Sequence, residues 1–176
     1  LSSTNVTPPA EGAWVTPYVI DPNDPATLYG GYDELWKTTN RGDSWEQIST
    51  VDPPGKILSI AVAPSDSKYI CFADNSQIWR TTDGATWTNI TNNLPSSNAN
   101  IEYITIHRDN PDIIWVALSG YSNPGVYQTT DGGNTWSNIS QGLPPIPAYC
   151  VVQDKQHQGD DYLYLGTELG VYFKKG

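Results

Sequence analysis

The sequence is poor in basic residues and has no long apolar run. Nine Lys and Arg side chains stand against 19 Asp and Glu, which gives a formal net charge of −10 at pH 7. This balance argues against nucleic acid or an anionic membrane surface as a partner, because both carry negative charge. No apolar stretch approaches the roughly 18 residues that a membrane helix needs, so the sequence predicts no membrane span.

Methionine is absent, and the chain has only two cysteines and two phenylalanines. The missing Met and the lack of a signal-like start predict a mature or excised segment. What the chain has in quantity is seven Trp, eleven Tyr, 15 Gly and 14 Pro. Aromatic residues separated by frequent Gly, Pro, Ser, Thr and Asn are typical of an all-β fold with short turns.

One short cassette recurs three times, as Thr38–Trp45, Thr81–Trp87 and Thr129–Trp136. In each copy Thr is followed by Asp or Asn, then Gly, then Trp; the middle copy is one residue shorter. The Asp or Asn side chain can accept backbone N–H bonds from its own turn, and Gly supplies a positive φ angle. Trp is predicted to pack back over the turn as an apolar plug. The residues of the pattern are Thr38, Asn40, Gly42, Trp45, Thr81, Asp83, Gly84, Trp87, Thr129, Asp131, Gly133 and Trp136.

This Ser/Thr-x-Asp-x-Gly-x-x-Trp turn resembles the Asp-box of the BNR-repeat and sortilin-type β-propellers. Thr129–Trp136 fits the pattern fully, and Thr38–Trp45 fits with Asn40 in place of Asp. In the families that it resembles, the Asp-box is a structural turn far from the active site. The resemblance therefore implies a structural role for Asn40, Asp83 and Asp131, and secretion from a bacterial cell.

The cassettes divide the chain into units of four short antiparallel strands. Thr38, Thr81 and Thr129 are separated by 43 and 48 residues, which suits a four-stranded propeller blade. We predict an all-β propeller with blades at about 14–50, 56–91, 100–140 and 147–176, the last one incomplete. Residues 1–4 then end a preceding or closing strand.

Two arrangements of these blades stay open. The chain is either a segment of a larger propeller or tandem array, or a small four-bladed ring. In an open segment, further blades of the parent chain or a second copy would have to cover the exposed strand edges.

The inner strands read as apolar runs, such as Ile60-Ala61-Val62 and Cys150-Val151-Val152, and are predicted to be buried on both faces. Cys71 and Cys150 fall on different strand types, two blades apart. A disulfide needs Cα atoms within about 7 Å. We therefore expect two free, buried thiols.

A candidate ligand face follows from the propeller arrangement. The loops that precede the inner strands share a face with the loops that join second and third strands. Aromatic and planar polar side chains of this kind hold a neutral glycan or a protein loop better than an anionic ligand. In the alternative, Trp14, Tyr103 and Tyr149 merely fill the strand entrances. The face gathers Trp14, Tyr32, Asp33, Glu34, Asn75, Tyr103, Tyr121, Asn123, Tyr149 and Glu168.

Catalytic and metal sites have weak support in the sequence. The three arginines, Arg41, Arg80 and Arg108, cannot readily converge, which argues against a sialidase. Glycosidases need two carboxyl groups beside the scissile bond; Asp33, Glu34, Asp74 and Glu168 are candidates only by location. No cofactor is expected. Calcium is conceivable at acidic loops on the opposite face, although turn formation explains them. These loops carry Asp21, Asp24, Asp109, Asp112, Asp154, Asp160 and Asp161.

The sequence therefore predicts an extracellular binding or scaffold module of the Asp-box propeller type, with a glycan or a protein as ligand. A polar, acidic, Lys-poor composition fits a secreted protein. The alternative is an enzyme, since the same repeats build xyloglucan-cleaving glycoside hydrolases. A cleft of that kind would need further blades.

Overall fold

The computed structural model describes residues 5–95, 99–120, 125–154, 156 and 161–175. These residues form four antiparallel sheets, in which neighbouring strands are also neighbours along the chain. The first three sheets have four strands and the last has three; we name them blades 1 to 4. The strands are β1 Tyr18–Ile20, β2 Leu28–Gly31, β3 Leu35–Thr38 and β4 Glu46–Gln47; β5 Ser59–Val62, β6 Ile70–Ala73, β7 Ile78–Thr81 and β8 Thr88–Asn89; β9 Asn100–Ile106, β10 Ile114–Ser119, β11 Gly125–Thr129 and β12 Ser137–Asn138; β13 Ala148–Gln153, β14 Tyr162–Thr167 and β15 Gly170–Lys175.

This up-and-down order of short strands is that of a propeller blade. The predicted all-β propeller with an incomplete last blade is therefore confirmed. Within the described ranges, the structure holds no helix with the length and apolarity that crossing a membrane would take.

The apolar core is divided into three clusters, each lying between two successive blades. Blade faces are apolar on both sides because alternate residues of each strand point towards different neighbours. Each blade is consequently stabilised mainly by the blade beside it. The clusters include Tyr29 and Leu35 with Ile60 and Phe72 between blades 1 and 2, Ile78 and Ile90 with Ile104 and Trp136 between blades 2 and 3, and Trp115 and Val126 with Val151 and Leu165 between blades 3 and 4.

The prediction that inner strands are buried on both faces holds for β5, in which every residue is buried. It is wrong for β1, which has no buried residue, and for β9 and β13, where exposed residues interrupt buried ones. Strands β1 and β13 belong to the outermost described blades, each of which has a neighbour on one side. Tyr18, Ile20 and Val152 are exposed for this reason.

Blade 4 presents an apolar surface on the side away from blade 3. Tyr164 lies between Val152 and Phe173 across the three strands, so all three side chains share one face. Val171, next to Phe173 on that face, is 75% exposed and Phe173 is 53% exposed. We name Val152, Tyr164, Val171 and Phe173 the open face of blade 4.

Both cysteines are free thiols, as predicted, but only Cys71 is fully buried. Burial raises the pKa of its thiol to about 12, which keeps it protonated and unreactive. Cys150 is half-buried because it lies on the same side of blade 4 as Tyr164. A side chain on Gly166 would meet its sulfur at 2.6 Å, so glycine there makes room for the thiol.

Candidate functional site

In each of the three cassette turns, the side chain of Asp or Asn accepts hydrogen bonds from backbone N–H groups of the same turn. Asp131 Oδ1 accepts hydrogen bonds from Thr129 Oγ1 at 2.7 Å and from the backbone N–H of Thr135 at 2.9 Å. Thr129 Oγ1 in turn accepts from the N–H of Gly133 at 2.9 Å. These bonds, first among them the one from the Thr135 N–H, lower the pKa of Asp131 to about 2. The carboxylate is thus committed to its own turn.

The shortened middle turn keeps the same bonding scheme. Asp83 Oδ1 accepts from Thr81 Oγ1 at 2.9 Å and from the N–H groups of Ala85 and Thr86 at 2.8 and 2.7 Å. The bond from Thr86 is the largest of the causes that lower the pKa of Asp83. The turn therefore keeps its internal hydrogen bonds although it lacks one residue between Asp83 and Gly84.

The tryptophans that end the cassettes reach the preceding blade, which corrects the prediction that each packs over its own turn. Trp87 Nε1 donates to the carbonyl of Ile48 at 2.7 Å, and Trp136 Nε1 donates to that of Ile90 at 2.8 Å. Trp45 Nε1 donates to Val6 at 2.6 Å in the same way. Trp87 and Trp136 pack against apolar residues of both blades, and each indole N–H satisfies a carbonyl just beyond the last strand of the preceding blade.

A second group of residues lies at the opposite edge of the blades, where second strands turn into third strands. The segments that lead into the next inner strands are bonded to these turns. Ile57 N–H donates to the carbonyl of Tyr32 at 2.9 Å, and Ile101 N–H donates to that of Asn75 at 2.9 Å. Glu168 N–H donates to the carbonyl of Pro147 at 3.3 Å. We name this edge the loop face.

The aromatic residues of the loop face differ sharply in exposure. The Trp14 side chain is fully exposed, at 102%, whereas Tyr103 and Tyr149 are 40% and 48% exposed. Trp14 therefore fills no strand entrance, and its indole is free to stack. Tyr32 is buried, its hydroxyl contacts that of Tyr18, and burial raises its pKa. The Tyr32 ring supports the face from beneath and offers no stacking surface of its own.

The carboxylates of the loop face hold loops together. Asp33 forms an ion pair with Lys56, whose Nζ also donates to the carbonyl of Glu11 at 2.9 Å. Glu34 accepts from Ser49 Oγ and from the N–H of Asp52. Both carboxylates are thus bonded to neighbouring loops of the chain.

Asp74 has a similar structural part in blade 2. It is 1% exposed and accepts from the N–H groups of Ser76 and Gln77, both at 2.7 Å, and of Gly55 at 3.0 Å. Glu168 is exposed at the two-residue turn between β14 and β15. The two other predicted members of the face, Tyr121 and Asn123, lie outside the described residues.

Sequence reasoning missed Lys56 as a member of this face, which it expected to lack basic side chains. The available signal was its place directly before the apolar run that starts at Ile57, since residues before inner strands belong to the loop face.

Below the face, Tyr103 also borders a groove of about 230 Å³ along the inner strands, with Ile60, Val62 and Val152 among its lining. Aromatic faces and an apolar groove suit the binding of flat C–H surfaces.

The acidic loops on the opposite face form turns. Asp21 accepts from the N–H of Asn23 at 2.8 Å and from the hydroxyl of Tyr29 at 3.0 Å. His107 has the corresponding place in blade 3, where its Nδ1 accepts from the N–H of Asp109 at 3.0 Å. Among the residues that the structure describes, no three His, Cys, Asp or Glu side chains are grouped to hold a metal ion; Asp160 lies outside them.

Comparison with known proteins finds xyloglucanases among the relatives. A xyloglucanase from Paenibacillus sp is 26% identical over an alignment 192 positions long, which covers 86% of this chain and 18% of that protein. The chain spans about a fifth of the length of the curated relatives that it matches, between 18% and 23%.

Solved structures with this fold include a GH74 enzyme from Niastella koreensis, with a TM-score of 0.64 and 17% identity over 90% of this chain and 29% of that one. The β-propeller domain of Cps50 (Swd1) from Myceliophteria thermophila has a TM-score of 0.72 and 13% identity, over 99% of this chain and 55% of that one. At these identities the likeness shows the fold.

The family comparison is the more specific one. The model described as Sortilin-Vps10 (sortilin, neurotensin receptor 3) matches residues 33–157, which is more than half of the chain. With its propeller blades and its repeated turns, the chain belongs to the Sortilin-Vps10 family.

Proposed function

We propose that this chain is a glycan-binding part of an extracellular propeller of the glycoside-hydrolase type, and that its loop face binds a neutral glucan such as xyloglucan. The observation that carries the proposal is the full exposure of the Trp14 indole, in the segment before β1 that chain order assigns to the loop face. The xyloglucanase relatives supply the substrate class.

The chemistry of the face supports a sugar ligand. The C–H face of a pyranose ring packs on the flat apolar surface of an exposed indole. Tyr103 and Tyr149, each close to half exposed, add two more aromatic surfaces. Asn75 and Glu168, both exposed, can bond sugar hydroxyl groups.

We assign the cassette turns to the Asp-box type and give them a structural part in this function. Their carboxylates bond to their own turns, and they lie at the edge of the blades away from the loop face. An extracellular location fits both the acidic composition, with a net charge of −10, and a polysaccharide ligand.

Cleavage of the glycan is a second candidate, favoured by the relatives, which are xyloglucanases. A glycosidase needs two available carboxyl groups beside the bond, about 5–9.5 Å apart. Asp33, Glu34 and Asp74 are bonded within the scaffold. We propose that in such an enzyme this segment binds substrate, while catalytic carboxylates come from other parts of the parent protein.

The test is calorimetric titration of the chain with xyloglucan oligosaccharides. We expect Trp14→Ala to weaken binding about tenfold or more, since it removes the exposed stacking surface. Phe173→Ala is the matched control: this aromatic residue is also exposed but lies on the open face of blade 4, and its loss should leave affinity unchanged. Equal binding by the parent and Trp14→Ala, or no binding by either, would overturn the proposal.

A further inference from the structure

The junction of blades 1 and 2 differs from the other cassette contacts because the middle turn is short. A side chain on Gly42 would lie 2.7 Å from Val6, and one on Gly133 would lie 2.6 Å from Ile90. Both turns therefore rest on the preceding segment. A side chain on Gly84 would meet nothing within 4 Å, so the middle turn stands away from blade 1.

Gly132 has, in the third turn, the position that the middle turn lacks, and its contacts show what a residue there does. Its N–H donates to the carbonyl of Asp112 at 3.0 Å, and its carbonyl accepts from Nη1 of Arg80 at 3.2 Å. In the first turn, the N–H of Arg41 bonds to Ala26 at 3.0 Å. The middle turn has no residue at this position. The middle turn therefore lacks the residue through which the other two turns bond to the loop between the first and second strands of their own blade.

A cavity of about 530 Å³ lies at this place, within the range of small-molecule sites. Ile48 and Ile70 give it an apolar part. Asn23 and Ser67 form a polar wall across the junction, with Nδ2 of Asn23 donating to Ser67 Oγ at 2.9 Å.

Two lysines supply the positive charge of this cavity, Lys37 and Lys68. Lys37 has the strand position that Arg80 has in blade 2. Arg80 is fixed by the carbonyls of Gly132 and Pro111, whereas the Lys37 ammonium lies 5.6 Å from the Tyr29 ring centroid. Within the part of the chain that the structure describes, neither lysine forms an ion pair.

The two carboxylates that line the cavity are already engaged in turns. Asp83 accepts from Thr81, Ala85 and Thr86, and Asp66 Oδ1 accepts from the N–H of Lys68 at 3.0 Å. Their negative charge disfavours a dianion such as phosphate. Because Asp66 and Asp83 are bonded within their turns, a single carboxylate on a ligand is the charge that Lys37 and Lys68 can pair with.

We infer that this cavity binds an acidic sugar, a uronic acid residue, at the junction of blades 1 and 2. The carboxylate pairs with Lys37 and Lys68 in charge-assisted bonds. The hydroxyl groups face Asn23 and Ser67, and the C–H face of the ring covers Ile48. This site lies away from the loop face and does not depend on the function proposed there.

The test is titration of the full chain with glucuronic acid, followed by amide chemical shifts, with glucose and acetate as separate arms. We expect glucuronic acid to bind and shift Gly84, Ser67 and Lys68. Glucose lacks the carboxylate and acetate lacks the ring, so each should bind about tenfold more weakly or worse. Equal binding of glucose or acetate would overturn the assignment, as would the absence of glucuronic acid binding.

Two variants locate the site. A glycine inserted between Asp83 and Gly84 restores the length of the other turns and should abolish binding by filling the cavity. Lys37→Gln with Lys68→Gln should weaken binding about tenfold without altering the turn. Trp14→Ala should leave glucuronic acid binding unchanged, which separates this site from the loop face. Full binding by the insertion variant or by the double lysine variant would refute the proposal.

Discussion

The indole N–H of Trp136 donates a hydrogen bond to the carbonyl oxygen of Ile90, 2.8 Å away in the preceding blade. Trp87 has the same relationship to Ile48. Each cassette thus closes its own turn with Asp or Asn, and Trp87 and Trp136 fasten their blades to the preceding blade. Because blades depend on their neighbours for burial, we expect these contacts to dominate the stability of the array.

Trp136→Ala should lower the free energy of unfolding by about 3–5 kcal/mol, because a large buried side chain is removed. Trp136 is 4% exposed, whereas Trp45 is only half-buried, so Trp45→Ala should have a smaller effect. Trp136→Phe keeps most of the ring and loses the bond to Ile90, at a cost of about 1–3 kcal/mol. Urea denaturation followed by circular dichroism measures all three. An equal effect of the two alanine substitutions would contradict this order.

Stability should depend on pH through Asp131, and the hydrogen bonds that its carboxylate accepts determine the direction of this dependence. The hydrogen bonds from Thr135 and Thr129 lower its pKa from 3.8 to about 2, so the folded state favours the carboxylate. This stabilisation is fully present above pH 3.8 and is lost as the pH falls through about 2. Asp131→Asn keeps an acceptor, as Asn40 does in the first turn, and removes the titration.

Melting temperatures of the parent and Asp131→Asn, measured from pH 6 to pH 2, test this dependence. The parent should lose melting temperature relative to the variant as the pH falls. Because the Asp131 turn is exposed, water can replace the carboxylate, and the difference should be small. A difference that grows in the parent's favour towards pH 2 would show that the carboxylate is not stabilised in the folded state.

Arg41 and Gly132 have the same position in two cassette turns and should respond to substitution in opposite directions. Arg41 has a φ of 60° and Gly132 a φ of 72°, a region that costs a residue with a side chain about 1–2 kcal/mol. Arg41→Gly should therefore raise the free energy of unfolding by up to about 1 kcal/mol. Gly132→Ala should lower it by more than about 1 kcal/mol, since a side chain there would meet Arg80 Nη1 at 2.2 Å. Chemical denaturation of both variants tests this pair of predictions. A lower free energy of unfolding for Arg41→Gly would contradict the conformational strain expected at the positive φ of Arg41.

The fold could be predicted from the sequence because the repeats carry it. A cassette that recurs at Thr38, Thr81 and Thr129 fixes where third strands end and fourth strands begin, and the apolar runs give the rest. Contacts between blades could not be predicted in the same way. Nothing in a single cassette tells whether Trp136 covers its own turn or reaches Ile90, since both would bury the ring.

The sequence predicted which residues belong to the loop face, but it did not predict which of their side chains are exposed. The chain order places Trp14, Tyr32 and Asp33 at one edge of the blades, but exposure depends on how the blades pack. Tyr32 is buried and Trp14 is fully exposed, although both are aromatic residues beside a strand. The ion pair of Asp33 with Lys56 joins residues 23 positions apart, a pairing that local pattern does not reveal.

The open face of blade 4 makes a last prediction. Val171 and Phe173 are 75% and 53% exposed on a twisted sheet whose opposite side packs on blade 3. Apolar sheet faces and strand edges of this kind associate unless they are covered or charged. We expect the isolated chain to self-associate through this face at high concentration. Val171→Lys with Phe173→Lys should make it monomeric, because two charges would have to be buried in the contact.

Sedimentation velocity over a hundredfold range of concentration distinguishes the outcomes. The parent should shift to larger species as concentration rises, and the double lysine variant should not. Lys substitutions at Thr88 and Ser137, which are exposed on β8 and β12, add the same charge elsewhere and serve as the control. If this control also becomes monomeric, net charge explains the effect; if the parent is monomeric throughout, the open face does not drive association.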